Sequence, residues 1–391
     1  MTDFPRFADI TTMRVGGPIA RFLQPTSRVG FIEAVEDADT AGVPLCVIGG
    51  GSNLIASDEL FEGVVVRDGR TDMNVLDQAA PREGSETTVH VNAVAGANWD
   101  DFVAFCLHLG LQGVEGLSGI PGTVGASVVQ NIGAYGQEVS TVVDSVEVWD
   151  RRDKKTGTLS PQDLGFGYRT SALKATMYDQ PGHPAEYFPT PRYVVLSVTF
   201  VLHHRSTAPV EFGQLATALG VAVGESMDTQ AIRAAVLAVR ARKGMLEDPT
   251  RYENPWMAGR RHVVPEATQP DHDRWSSGSF FINPVLDEAT AVHLPPDATR
   301  FAAGAGLVKT SSAWLIDQAG FHKGYPLGER PDAPASLSTK HTLALTNRGT
   351  ATAADIFALA HEIQVGVQKR FGIALVPESV LVGFETDVRQ R

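Results

Sequence analysis

Cysteine is scarce in this 391-residue chain: Cys46 and Cys106 are the only two. Each sits in an apolar run (PLCVIGG and FVAFCLHLG), and no metal-ligand spacing links them. A disulfide scaffold is therefore excluded, and both read as small core residues suited to a reducing compartment. Long hydrophobic runs are also missing. The opening segment MTDFPRFADITTMRVGGP lacks the apolar stretch of a signal peptide, and nothing nears the ~20 residues of a membrane span. The expectation is a cytoplasmic protein with no membrane insertion. Basic charge is in deficit, with 33 Lys and Arg against 45 Asp and Glu, a net charge of −12. Such a surface repels phosphate backbones, which argues against nucleic acid as a partner. An anionic small molecule must then meet a local basic pocket. The 11 histidines form no H-E-x-x-H or related metal pattern, and no nucleophile elbow or Ser-His-Asp order is present.

What the chain does have is glycine, 38 residues of it, and recurring strand and helix signals. At roughly 150 residues per domain, the length predicts two or three domains. Phe31, Val35 and Ala38 mark an amphipathic helix ending near Gly42. PLCVIGG, VVVRDG and TTVHVNAVAG follow as strands. Asn98 caps a predicted helix bearing Trp99, Phe102, Val103, Cys106 and Leu107. VVDSVEVWD and RYVVLSVTFVL read as further strands. A helix from Thr229 carries Ile232, Val236 and Val239 and ends in Arg240, Arg242 and Lys243. SFFINP and HTLALTN read as strands, with a helix around SSAWLIDQAG between them. The last helix has Thr352 and Asp355 as a capping box, an apolar face of Ile356, Leu359, Ile363 and Val367, and Gly372 as its stop. Helix and strand do not alternate regularly, which predicts an α+β fold rather than a doubly wound sheet. Two stretches, 175–192 and 249–276, are proline-rich or polar and aperiodic, and read as surface loops or lids.

Two glycine-rich segments stand out. Gly49-Gly50-Gly51-Ser52-Asn53-Leu54 follows a buried strand, with Asp68 about 20 residues on, a spacing that suggests a dinucleotide-binding βαβ unit. A parallel crossover takes a dozen or more residues and usually a helix, whereas SNLIASDELFEG has no helical stripe. The expectation is therefore no parallel crossover, but a tight loop whose amides form an anion nest for a phosphate. The second segment, Gly119-Ile120-Pro121-Gly122-Thr123-Val124-Gly125-Ala126, carries no side chain larger than isoleucine. Two such loops suit a dinucleotide with a pyrophosphate, such as FAD; the plain alternative is a pair of ordinary turns.

Three residues could carry chemistry. Arg169 in GFGYRTS is flanked by small residues, Ser279 lies in SSGSFF before two phenylalanines, and Glu378 sits in the apolar segment LVPESVLVG. A carboxyl group there would be desolvated and its pKa raised unless paired. On residue patterns alone each could equally be a satisfied polar group in a turn.

Taken in order, TTMRVGGP, VIGGGSNLI, GLSGIPGTVGASVVQNIGAYGQE, GYRTS, GSFFINP, SAWLIDQAGFHKG and LVPE resemble the UDP-N-acetylmuramate dehydrogenase family, also called UDP-N-acetylenolpyruvoylglucosamine reductase. The resemblance runs from about Thr11 to Gly383. It implies an FAD-binding domain of the vanillyl-alcohol-oxidase (PCMH) type and a smaller α+β substrate-binding domain: subdomains over 1–75 and 76–207, the substrate-binding domain over 208–372, and a C-terminal segment, 373–391, returning to the active site. It implies non-covalent FAD cradled by Gly50, Gly51, Ser52, Asn53 and Leu54 and by Gly119, Ile120, Pro121, Gly122, Thr123, Gly125 and Ala126. It implies a monomer acting in peptidoglycan precursor synthesis, and so in cell shape and division. NADPH reduces the flavin. Flavin N5 then gives hydride to the vinyl carbon of the enolpyruvyl ether of UDP-N-acetylglucosamine, and the resulting enolate is protonated to UDP-N-acetylmuramate. By residue matching Arg169 holds the substrate carboxylate, Glu378 is the catalytic glutamate and Ser279 the proton donor. Lys243 and Asn283 contact the UDP diphosphate, and Tyr168 lines the pocket.

The sequence departs from the family in places. Phe212 stands where a tyrosine closes over the substrate, leaving Tyr187 or Tyr252 as substitutes for its hydroxyl, and Ile282 stands where a lysine is common. Two other functions bear weighing. One is a flavin oxidase of the same fold acting on another acid, against which the GSFFINP and LVPE segments argue. The other is a nucleotide-sugar binding protein without catalysis, against which the presence of Arg169, Ser279 and Glu378 argues.

Overall fold

The computed structural model describes residues 4–77, 87–177, 191–257, 269–304 and 306–384. The architecture is α+β. The strand Phe61–Arg67 forms the centre of a three-stranded sheet, with Ile19–Leu23 on one side and Leu45–Ile48 on the other, both parallel to it. Val64, Val65 and Val66 are all buried, as a parallel strand covered on both faces requires. The helix Arg28–Ala41 begins where the Ser27 side chain accepts from the Gly30 N–H and ends at Gly42, which takes a left-handed φ of 64°. Its Phe31, Val35 and Ala38 pack on Leu45 and Val66, and also on Trp149 and Leu196 of a second sheet.

The expectation that no parallel crossover links Leu45–Ile48 to Phe61–Arg67 is overturned: the two strands pair in parallel. No helix makes the connection. The strand Leu54–Ala56 stands in its place and pairs in parallel with Val380–Val382, close to the C-terminus. A pattern search for a helical stripe misses this, because the partner that satisfies the crossover backbone lies at the other end of the chain.

The second sheet is antiparallel. Tyr193–His204 runs between Val143–Asp150 and Thr88–Val94, with Lys155–Leu159 and Met73–Val75 at the edges. Met73–Val75 thus belongs with this sheet. The helix Trp99–His108, capped by Asn98 accepting from the Asp101 N–H, lays Trp99, Phe102, Val103 and Cys106 into a core shared with Phe200.

Beyond these sheets lies the helix Thr229–Arg242, which buries Ile232, Val236 and Val239. It is followed by the small sheet Val285–Asp287, Leu307–Thr310 and Arg300–Ala302 and the hairpin Ala335–Leu337 with Leu345–Asn347. The helix Ala353–Phe371 has the expected Thr352–Asp355 capping box and stops at Gly372 with φ 71°. Its core takes in Met13, Val15 and Ile55 from the first third of the chain. HTLALTN is a strand only over Leu345–Asn347. SFFINP forms no extended strand: Phe281 makes a single bridge to Pro377, while Phe280 and Phe281 fill the core. The described parts of 249–276 are not a surface lid. Arg251, Met257 and Asp273 are buried there in short 3₁₀ turns, held by polar contacts that hydrophobic periodicity cannot reveal. Most of 175–192 lies outside the described residues. Among the described residues no helix is long and apolar enough to cross a membrane, and no group of three or more His, Cys, Asp or Glu could hold a metal ion.

Candidate active site

A cavity of about 310 Å³ runs along the junction of these layers. Its walls include Gly50, Gly51, Ser52, Asn53 and Leu54 from the first glycine loop and Ile120, Pro121, Gly122, Thr123, Gly125 and Ala126 from the second. The two loops touch. A Cβ on Gly50 would stand 2.7 Å from Gly122 Cα, and one on Gly49 would stand 2.6 Å from Thr123 Oγ1. Ser52 Oγ donates to Pro121 O at 2.8 Å, joining the loops further.

The first loop is held by its carbonyls. Gly50 O accepts from Arg251 Nη2 at 2.9 Å, Gly51 O from the Thr12 N–H at 3.0 Å, and Asn53 O from the Val380 N–H at 3.0 Å. In a trans peptide the N–H points opposite to the C=O. Anchoring these carbonyls outside the loop therefore turns the N–H groups of Gly51, Ser52 and Leu54 away from the anchors, the arrangement an anion nest needs. Gly51, at φ 66°, has no room for a Cβ, which would lie 2.4 Å from Ile10 O. Glycine-lined walls and loop-borne donors fit a flavin dinucleotide. Gly119 lies behind the wall instead: its N–H donates to Asp100 Oδ1 and its carbonyl accepts from Arg240 Nε.

Arg169, Ser279 and Glu378 line the same cavity. Tyr168 and Arg169 form the corner of a tight turn closed by reciprocal bonds between Gly167 and Thr170. Arg169 has a φ of 57°, a left-handed conformation costly for a non-glycine residue and concentrated at functional sites. Its Nη1 and Nη2 donate to Asn131 O at 3.3 Å and Gly133 O at 2.6 Å, so the QNIGAYG segment is the seat of the guanidinium. Nε lies 3.6 Å from Glu378 Oε1. A guanidinium has five N–H groups, so one on each Nη remains for a carboxylate. Glu378 is placed by its own N–H donating to Phe280 O at 2.8 Å, which draws the C-terminal segment alongside Ser279-Phe280-Phe281. Burial raises the Glu378 pKa, opposed by Arg169, by the bond from Gln130 and by Lys174.

The remaining predicted residues lie off the cavity wall. Asn283 lies beside Tyr168 and accepts from the Ser312 N–H at 3.0 Å. Lys243 Nζ donates to Gln214 Oε1 at 2.7 Å and lies over the Tyr135 ring. Burial and then the neighbouring Arg240 lower its pKa. Phe212 is partly exposed and stacks edge-on with Tyr135, its ring centroid 5.6 Å away. Tyr252 is not a free substitute for the missing hydroxyl, because its OH donates to Glu247 Oε2 at 2.7 Å; Tyr187 lies outside the described residues. Sequence reasoning missed Thr12, Gln130 and Ser276–Ser277 on the cavity wall. Gln130 was within reach, since it opens the QNIGAYG string. Lys309, whose ammonium lies 4.6 Å from the centroid of the Tyr168 ring, carries no signal in the sequence. Asp68 also lines the cavity, though as a partner of Arg70 through three hydrogen bonds and not as part of a βαβ unit.

Fold and site together define a flavin-dependent oxidoreductase. The family model of an FAD binding domain matches residues 19–158, and the model of the UDP-N-acetylenolpyruvoylglucosamine reductase C-terminal domain matches 269–382. The chain is 43% identical to the reductase of that name from Thermobifida fusca, over 98% of this chain and 99% of that one. It is 44% identical to the one from Streptomyces coelicolor, over 96% and 88%. The crystal structure of the enzyme from Thermus caldophilus superposes with a TM-score of 0.56 at 25% identity, covering 97% of this chain and 98% of that one. The chain belongs to the UDP-N-acetylenolpyruvoylglucosamine reductase family.

Proposed function

We propose that the protein reduces the enolpyruvyl ether of UDP-N-acetylglucosamine to UDP-N-acetylmuramate, a step of peptidoglycan precursor synthesis, with NADPH as the hydride source. The observation that carries this reading is the meeting of Arg169, Ser279 and Glu378, from three distant parts of the chain, in the cavity that both glycine loops line. When bound, FAD would accept hydride from NADPH and pass it through N5 to the terminal vinyl carbon of the ether.

The side chains answer the charge that this creates. Adding hydride to the vinyl carbon leaves negative charge on the neighbouring carbon, delocalised as an enolate into the substrate carboxylate. The two free N–H groups of Arg169 hold that carboxylate and stabilise the growing charge. Burial raises the Glu378 pKa, and in its protonated form Glu378 donates to the same charge. The Ser279 hydroxyl gives the proton that completes the lactyl ether; the basic enolate carbon eases the demand on a weak acid. Lys243 and Asn283 serve the diphosphate from the rim beyond the wall.

The test is anaerobic. Purified protein should be yellow, bleach on NADPH and regain its colour on adding the enolpyruvyl sugar. Protein that bleaches but does not recover with that sugar would refute the substrate assignment.

A further inference from the structure

The helices Val124–Gln130 and Ala172–Ala175 pack together and bring two unassigned side chains to Glu378. Lys174 Nζ lies 2.6 Å from Gln130 Oε1 and 3.2 Å from the main-chain oxygen of Glu378. Gln130 Nε2 lies 2.7 Å from Glu378 Oε1. An ammonium can only donate, so Lys174 decides which end of the Gln130 amide it meets: the oxygen. The amide nitrogen, also only a donor, is thereby turned to Glu378. Oε1 of Glu378 is then held as an acceptor, with Arg169 Nε 3.6 Å from the same oxygen. No described donor is bonded to Oε2.

We propose that Lys174, acting through Gln130, is a positioning residue that keeps the acid proton of Glu378 on Oε2. The inference rests on Glu378 working as an acid, as proposed above. Without Lys174 the amide is free to turn. Its oxygen then accepts the Glu378 proton and withholds it from the substrate. Among the described residues, the charged and titratable groups that act on Glu378 are Arg169 and Tyr168 from the turn and Lys174 from its helix. Lys174 and Arg169 both favour the ionised form, so losing Lys174 lets burial bind the proton more tightly.

The measurement is stopped-flow reoxidation of NADPH-reduced holoenzyme by the enolpyruvyl sugar across a range of pH. Lys174→Met should slow reoxidation by about tenfold, a part of the general-acid contribution, and move the alkaline limb of the profile to higher pH. Lys174→Arg, which still only donates, should keep the native rate and limb. Gln130→Glu, close to isosteric, places a second carboxyl against Glu378 and should slow the reaction and raise the limb in the same way; it serves if Lys174→Met loses flavin. A merely structural role would lower flavin content or stability and leave the limb in place. Native rate and limb in Gln130→Glu, or a loss in Lys174→Arg equal to that in Lys174→Met, would overturn the inference. Glu378→Gln separates the two ideas. If it reoxidises at the native rate, the acid role itself fails; if it slows while the Lys174 and Gln130 variants do not, only the positioning role fails.

Discussion

At Gly50 and Gly122 two loops close until an added Cβ would lie 2.7 Å from backbone, and what faces the cavity there is largely main chain. The same cavity is also met by the side chains of Arg169, Ser279 and Glu378, of which Arg169 is held by distant backbone and Glu378 by the Gln130 amide. The first group works because side chains are missing, the second because a few are present. A glycine-built cradle holds a ligand by N–H groups that any residue possesses, so its specificity lies in close approach. A side-chain site needs each group to be placed by a separate part of the fold, and a single substitution removes a single chemical role.

The largest expected effect is at the side-chain group. Ser279→Ala should leave flavin reduction by NADPH largely intact and slow reoxidation by substrate about 10²- to 10⁴-fold, the span of general-acid catalysis. Separate half-reactions in a stopped-flow instrument check this, and reoxidation at the native rate would remove Ser279 from the proton's path. At the glycine loops Gly50→Ala should act on FAD binding instead. Its Cβ meets Gly122 Cα, which cannot swing aside as a side chain could. Overpacking of about 1–3 kcal/mol corresponds to a weakening of FAD affinity of roughly 5- to 150-fold. Flavin fluorescence titration reads it, and unchanged affinity would show that the close approach of the loops is dispensable.

A third test uses pH. Burial raises the Glu378 pKa in the folded protein, so the fold binds its proton more tightly than the unfolded chain does. Glu378 therefore adds stability that is full below the ordinary carboxylate range and is lost as pH rises through the folded value. Substrate-driven reoxidation should fall over the same interval, while flavin retention by the glycine loops should not follow it. In Glu378→Gln both dependences should flatten. A reoxidation limb that persists in that variant belongs to another group.

The two groups also differ in how far the sequence announces them. The glycine runs, the caps at Asn98 and Thr352 and the stops at Gly42 and Gly372 are local signals, and the structure places them as read. The crossover between Leu45–Ile48 and Phe61–Arg67 was misjudged because the strand completing it, Val380–Val382, is remote in sequence. The stretch around Arg251 read as loop because its burial rests on ionic and main-chain bonds to Glu247, Ile10 and Gly50, and such bonds leave no periodicity. Arg169, Ser279 and Glu378 were singled out by residue type, but only resemblance joined them; no spacing along the chain reveals that QNIGAYG seats the guanidinium or that Phe280 O receives the Glu378 N–H.

The smallest expected effect probes the coupling between the two groups. Asp58, in the crossover on the FAD side, accepts from the N–H of Ala353 at 2.9 Å and of Ala354 at 3.2 Å, capping the helix Ala353–Phe371 from outside, while Thr352 caps it from within. A carboxylate at a helix N-terminus gains from both the free N–H groups and the helix dipole. Asp58→Ala and Thr352→Ala should each cost about 1 kcal/mol in denaturant unfolding. They should differ in one respect. The Thr352 cap is internal to its lobe, so its loss should leave FAD affinity unchanged. Asp58 lies two residues beyond the strand Leu54–Ala56, which follows the glycine loop, so releasing it should weaken FAD binding slightly, by less than Gly50→Ala does. Equal FAD affinity in both variants would show that the cradle and the side-chain site are held independently of this cap.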